Sequence, residues 1–128
     1  MRLLLDTHAF LWFIMGSANL SANARALIED PANERLLSVA SLWEIAIKTS
    51  LGKLTLSARF DELIPAQLKL NGIDLLNIKV DHLSTRTTLP FHHRDPFDRL
   101  IIAQANVEKL SVISLDGAID AYGVTRLW

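Results

Sequence analysis

The chain contains no cysteine. That excludes disulfide scaffolds, cysteine-ligated zinc sites and thiol catalysis, and it fits a reducing compartment. Long hydrophobic runs are missing too. The longest clean one, Ala9 to Met15, falls far short of the ~20 residues a membrane-spanning helix needs. Asp6 comes too early for a secretory leader, so a soluble, cytoplasmic protein is expected. Neither charge sign dominates: 13 basic residues stand against 14 acidic ones, with a net charge of −1 and a pI near 6.4. The bulk signature of a strongly basic nucleic-acid-binding domain is therefore lacking, and any such contact has to come from a local patch. No low-complexity segment, repeat or linker interrupts the chain.

What the chain does have is length and pattern. It has 128 residues, half of them hydrophobic. A chain of this size buries roughly two thirds of its unfolded surface, enough for a core without a covalent or metal staple. One domain over residues 1–128 is expected.

Arg2 to Leu5 is an apolar run closed by Asp6, the pattern of a strand buried on both faces. His8 to Met15 is apolar nearly all round and stops at Gly16, which predicts a buried helix. Ser21 caps a helix that reaches Asp30 and ends before Pro31. Arg35 to Val39 is a second strand. The helix Ser41 to Leu51 opens with Ser-Leu-Trp-Glu, a capping-box pattern, and ends at Gly52. Arg59 to Leu70 is amphipathic, with Pro65 inside it; Ile73 to Ile78 is a third strand and Asp81 to Thr88 a further helix. Asp95-Pro96 starts the helix Phe97 to Leu110. Ser111 to Leu115 is a fourth strand ending in Asp116, Gly117 to Tyr122 a helical turn, and Thr125 to Trp128 a candidate fifth strand. Strands alternating with helices predict a three-layer α/β/α fold around a parallel sheet of four or five strands.

In such a sheet the strand C-termini and the N-termini of the crossover helices share one edge, where ligands bind. Asp6 and Asp116 follow strand ends, while Glu44 and Asp98 are expected in the first turns of helices. All four acids should face that edge. Carboxylates gathered there need a cation to stay ionised together, and an oxygen-only donor set suits Mg²⁺ or Mn²⁺. Each acid alone has a simpler role: Glu44 as partner of Ser41 in a capping box, Asp98 and Asp95 as helix-start acids, Asp116 as a turn former.

The segments LLLDTHAFLW, SVASLWEIAIKTSLGKL, HHRDPFDRLIIAQA and VISLD together resemble the PIN domain family, and within it the VapC-type toxins of toxin–antitoxin pairs. The resemblance implies an Mg²⁺- or Mn²⁺-dependent endoribonuclease, with RNA (transfer RNA as one class) as substrate. It further implies a cognate antitoxin and a homodimer. The family's acids fall on Asp6, Glu44, Asp98 and Asp116, with Ser114 at its Ser/Thr position; Asp6 and Asp98 rank first as ligands, then Glu44, then Asp116. Asp95 is an auxiliary acid beside the third motif.

Other residues carry weaker expectations. Thr7 and Ser114 are hydroxyls suited to positioning a water or phosphate, and equally to local hydrogen bonding. Arg94 and Arg99 flank Asp98 and are candidate phosphate contacts, with Lys48 and Lys53 behind them. His92-His93 lies in a polar loop without metal-ligand spacing and His8 is expected to pack near the first helix; these and His82 are assigned ordinary solvated or hydrogen-bonded roles. Trp12, Trp43 and Trp128 are read as core or interface residues. Phe10 to Met15 with Leu42 to Ile47 offers apolar surface for a dimer face or antitoxin groove. The alternatives are a receiver-like, non-catalytic module with an acidic pocket, and a DNA-directed metal nuclease. A receiver would be expected to carry paired acids after its first strand and a lysine after its last; Asp6-Thr7-His8 and Thr125-Arg126-Leu127 provide neither.

Overall fold

A computed structural model describes residues 1–128. Its strands are β1 (Arg2–Leu5), β2 (Glu34–Ser38), β3 (Ile73–Leu76), β4 (Ser111–Ile113) and β5 (Arg126–Leu127). They form one five-stranded sheet in the order β3-β2-β1-β4-β5. Every pairing is parallel, with Leu5 opposite Leu37 on one side and Ile113 on the other. The helices are α1 (Thr7–Met15), α2 (Ala22–Glu29), α3 (Val39–Ser50), α4 (Phe60–Asn71), α5 (Val80–Thr87) and α6 (Pro96–Glu108), with a 3₁₀ turn over Gly117–Tyr122. None is long and apolar enough to cross a membrane.

The all-leucine first strand shows why the sheet is covered twice. Leu3 and Leu5 enter one core with Phe10, Ile28, Ile45 and Ile64, drawn from α1 to α4. Leu4, pointing the other way, enters a second core with Ile101, Ile102 and Val112. Side chains alternate across a strand, so a strand with no polar residue between its ends is stable only between two apolar layers. The second layer is completed by α5 on α6, where fully buried His82 faces Glu108 Oε1 at 2.8 Å.

Several boundaries differ from the sequence expectation, one with consequences. The N-cap of α3 is Ser38, which accepts from the Ala40 amide, and the helix runs from Val39. Ser41 is therefore inside the helix and buried, not its cap, and Glu44 lies in the second turn. The Ser41–Glu44 capping box does not form. Strand β3 stops at Leu76, and β4 stops at Ile113, so Asp116 lies on the loop beyond it. Pro65 is accommodated within α4.

The expected apolar surface splits. Phe10, Leu11 and Ile45 are core residues. Ile14 and Met15 instead line a hollow of about 380 Å³ with Leu56 and Leu63, and Trp43 is 60 % exposed, edge-on to Phe97 at 5.4 Å. Trp12 and Trp128 pair edge-on at 5.9 Å.

Candidate metal centre

Asp6 ends β1 and caps α1: its Oδ1 accepts from the Ala9 amide at 2.7 Å. One side chain thus closes a strand, starts a helix and lines the hollow at the sheet edge. Asp98 lies in the first turn of α6, and Asp95 is the cap of that helix, accepting from the amides of Phe97 (2.8 Å) and Asp98 (3.0 Å). The two acids of the third motif therefore divide their roles. Asp95 satisfies orphan helix amides, which leaves the Asp98 carboxylate for the site.

Beyond β4, the Ser114 hydroxyl accepts from the Asp116 amide at 3.0 Å, and Asp116 Oδ1 accepts from the Ala118 amide at 3.0 Å. This pair of short-range bonds turns the chain so that Asp116 faces Asp6 and Asp98. The three acids line one open hollow of about 280 Å³, with His8, Trp12, His93 and Leu115 around its mouth.

Glu44 is not in that hollow. It is 4 % exposed and both its oxygens are engaged, Oε1 by the Thr7 hydroxyl and Oε2 by Lys48 Nζ, each at 2.7 Å. Ser41 Oγ lies 3.0 Å from Thr7 Oγ1 and extends the buried network. Thr7 and Ser114 are buried, and both are occupied by protein partners.

Crowding marks the site electrically. Burial, then the charge of Asp95, and further out those of Asp6 and Glu44, push Asp98 from 3.8 up to about 7, with His93 opposing. Burial also raises Asp6, against the Ser114 hydroxyl, the Ala9 amide and nearby His8. For Asp116, burial pushes upward but loses to the Ala118 amide and His93, which hold it below the ordinary carboxylate value. A divalent cation would offset both the burial and the acidic neighbours that raise Asp98. The donors present are carboxylate oxygens, the type Mg²⁺ and Mn²⁺ take. The residues fit such an ion.

One sequence expectation is overturned here. Arg99 is no phosphate contact: it is 3 % exposed, and its guanidinium is spent on the carbonyls of Pro90 (2.8 Å), Leu89 (3.2 Å) and His93 (3.4 Å) while lying 4.1 Å over the Phe91 ring. It is the clamp of the loop before α6. His93, expected in a solvated or hydrogen-bonded role, is hydrogen-bonded, and its partner is an acid of the site. Its Nε2 lies 2.7 Å from Asp116 Oδ2 and 3.2 Å from Asp98 Oδ2, so that His93, Asp98 and Asp116 have ligand-capable atoms within 4.8 Å of one another. Spacing rules look for ligands along one element, and His93 joins residues 5 and 23 positions away through a loop folded by Arg99 and Tyr122. Arg94, by contrast, is exposed, and Lys53 is exposed as well.

Comparisons with known proteins bear on the family and the fold. Ribonuclease VapC16 of Mycobacterium tuberculosis is 38 % identical over 69 residues, a match covering 54 % of this chain and 48 % of that protein; the chain thus spans about half the length of this curated relative. Among solved structures, VapBC2 of Rickettsia felis, bound to a DNA fragment from its promoter, superposes with a TM-score of 0.75 at 13 % identity, covering 99 % of this chain and 98 % of that one. FitAcB of Neisseria gonorrhoeae gives 0.68 at 17 % identity, with 98 % and 96 % covered. VapBC-1 of nontypeable Haemophilus influenzae gives 0.62 at 15 % identity, with 99 % and 97 % covered. At such identities the structures establish the shared fold. The family model described as PIN domain matches residues 3–124, and with it the chain belongs to the PIN domain family.

Proposed function

We propose that the protein is a metal-dependent endoribonuclease, the toxin of a toxin–antitoxin pair. The observation that carries the reading is the convergence of Asp6, Asp98 and Asp116 on one hollow, with Asp98 pushed to about 7 by burial and its acidic neighbours. Such crowding is costly in a protein with no use for it, and it is relieved by a divalent cation. Asp6 and Asp98 hold the ion, since each has a carboxylate oxygen taken neither by a backbone amide nor by His93. Asp116 adds a further carboxylate at the rim. Glu44 stands behind them, its charge reaching Asp98 while Thr7 and Lys48 hold it in place.

When bound, Mg²⁺ or Mn²⁺ supplies polarisation of a phosphoryl oxygen and a more acidic water for in-line hydrolysis. The chain's own part is to place and charge the acids and to present the backbone of an RNA to them. Arg94, exposed on the loop before α6, is the candidate contact for a neighbouring phosphate. With a net charge of −1, recognition rests on such a local patch and on the shape of a folded RNA or exposed loop, transfer RNA included. The relation to VapC16, named a ribonuclease, supports RNA as the substrate. The fold shared with VapBC and FitAB assemblies supports an antitoxin partner, and the resemblance to the family implies a homodimer. The apolar hollow lined by Ile14, Met15, Leu56 and Leu63 is a surface such a partner would cover.

The test is incubation of the purified chain with total RNA and, in parallel, with DNA, in Mg²⁺, in Mn²⁺ and in chelator, beside an Asp6→Asn variant. RNA cleavage that requires metal and Asp6 is expected. Cleavage indifferent to either would sink the site, and cleavage of DNA alone would move the substrate class.

A further inference from the structure

We infer that His93 is a positioning residue of this centre: a fixed N–H donor that holds Asp116 and abuts Asp98, setting their spacing, while remaining outside the ion's own ligand set. The inference rests on the reading that these acids hold a divalent cation. Its ground is the tautomer of the ring. The Asp95 backbone N–H points at His93 Nδ1 from 3.1 Å. An amide nitrogen only donates, so Nδ1 must present its lone pair, and the ring proton resides on Nε2. That nitrogen faces two acceptors, Asp116 Oδ2 at 2.7 Å and Asp98 Oδ2 at 3.2 Å. A ring nitrogen that carries a proton has no lone pair to give a metal. Ligation through Nε2 would require the proton on Nδ1, directly against the Asp95 amide.

The ring is also not free to swing. The His93 backbone N–H donates to the Tyr122 hydroxyl at 2.7 Å, and that hydroxyl donates to the Pro90 carbonyl at 2.8 Å. The His93 carbonyl accepts from Arg99, which grips the Leu89 and Pro90 carbonyls as well. The same device recurs in the core, away from any site. There the Lys79 amide donates to His82 Nδ1 at 3.0 Å, and Nε2 meets Glu108 Oε1 at 2.8 Å. In both places a backbone amide selects the Nε2–H tautomer and aims it at a carboxylate. At His93 the donor holds Asp116 at 2.7 Å and lies against Asp98 Oδ2 at 3.2 Å, which brings the loop after β4 up to the first turn of α6. The ring bonds Asp116 Oδ2 and lies beside Asp98 Oδ2, so that Asp98 Oδ1 is not taken up by it.

The experiment uses Mn²⁺ alone, with no RNA, on the full chain, His93→Ala, His93→Gln and Asp98→Asn. Glutamine keeps an N–H donor at similar reach but lacks the acceptor. Affinity comes from the free-Mn²⁺ electron-spin-resonance signal, and nitrogen coordination from electron-spin-echo modulation of the bound ion. We expect the native chain to bind Mn²⁺ without directly coordinated ¹⁴N. His93→Ala should bind about 10- to 100-fold more weakly, the range for groups that orient ligands, and His93→Gln should recover most of that loss. Coordinated ¹⁴N that vanishes in His93→Ala would make His93 a ligand and overturn the inference. So would unchanged affinity in His93→Ala, or no recovery in His93→Gln. Failure of the native chain to bind Mn²⁺, or undiminished binding by Asp98→Asn, would instead overturn the metal-site reading beneath it.

Discussion

Lys48 Nζ sits 2.7 Å from Glu44 Oε2, one helical turn further along α3, and the pair differs from an ordinary surface i,i+4 bridge because Glu44 is 4 % exposed. Lys48 itself keeps 37 % of its side chain in solvent. The lysine thus brings compensating charge to a buried carboxylate while its own hydration is partly retained. Removing Lys48 would strand the carboxylate; removing Glu44 would strand only the Thr7 hydroxyl. Lys48→Met is therefore expected to destabilise by about 1–3 kcal/mol, discounted from the ~3–5 typical of a broken buried pair because of that exposure. Glu44→Gln, which still accepts from Thr7, should cost less. Urea unfolding of both variants gives the comparison, and equal costs would contradict the assignment of Glu44 as the buried partner.

The division of roles between Asp95 and Asp98 is directly testable. Serine at position 95 keeps a capping oxygen and loses the charge, so Asp95→Ser should fold with a loss under about 1 kcal/mol and retain metal-dependent cleavage within about tenfold. Asp98→Asn should lose cleavage by more than about 100-fold, as removal of a direct ligand would. The reverse order of severity would exchange the two assignments.

Stability of the metal-free protein should depend on pH in a definite sense. Asp98 is raised from 3.8 to about 7, and Asp6 is raised as well. An acid raised on folding binds more protons in the native than in the unfolded state, so stability falls as pH climbs from 3.8 toward about 7. Asp116 and Glu108 are lowered, and their contributions change only below their ordinary values of 3.8 and 4.5. In chelator, the melting temperature at about pH 8 should lie below that at about pH 5.5. Saturating Mg²⁺ should raise it most at the higher pH, since binding to the native state alone stabilises by mass action. A melting temperature that does not change over this interval in chelator would argue against crowding at Asp98.

Asp98→Asn removes the charge that the neighbours resist. Without metal, at about pH 8, it should melt above the native chain, since the variant no longer pays for an ionised buried acid. Added Mg²⁺ should then give it little further stabilisation. A variant that melts lower in chelator would show that the Asp98 carboxylate is held by attraction and not by strain.

Arg99 should tolerate no conservative replacement. Lysine cannot reach the Leu89, Pro90 and His93 carbonyls together or stack as a plane on Phe91. Arg99→Lys is expected to cost about 1–3 kcal/mol and to speed amide hydrogen exchange in residues 89–95 with little change in β1 to β3. Uniform acceleration across the sheet would point to a global role instead.

The sequence by itself determined the alternation of strands and helices, the burial of β1 on both faces and the placing of Asp6, Asp98 and Asp116 near one edge. Those features depend on local periodicity and on stop signals such as Gly16 and Asp95-Pro96, which act over a few residues. Only the tertiary structure decided how the edge is wired. The start of α3 moved because the buried hydroxyl of Ser38 was the better cap, which turned Glu44 from a first-turn acid into a buried partner of Thr7 and Lys48. Arg99 looked like a solvent-facing base, yet it found three carbonyls in a loop that has no periodicity to read. His93 reaches Asp116 across 23 positions because that loop is fastened at both ends, to Arg99 and to Tyr122. Patterns of residues record which face is buried; they do not record which polar groups will satisfy one another once the loops close, and that pairing sets the charge and geometry of the site.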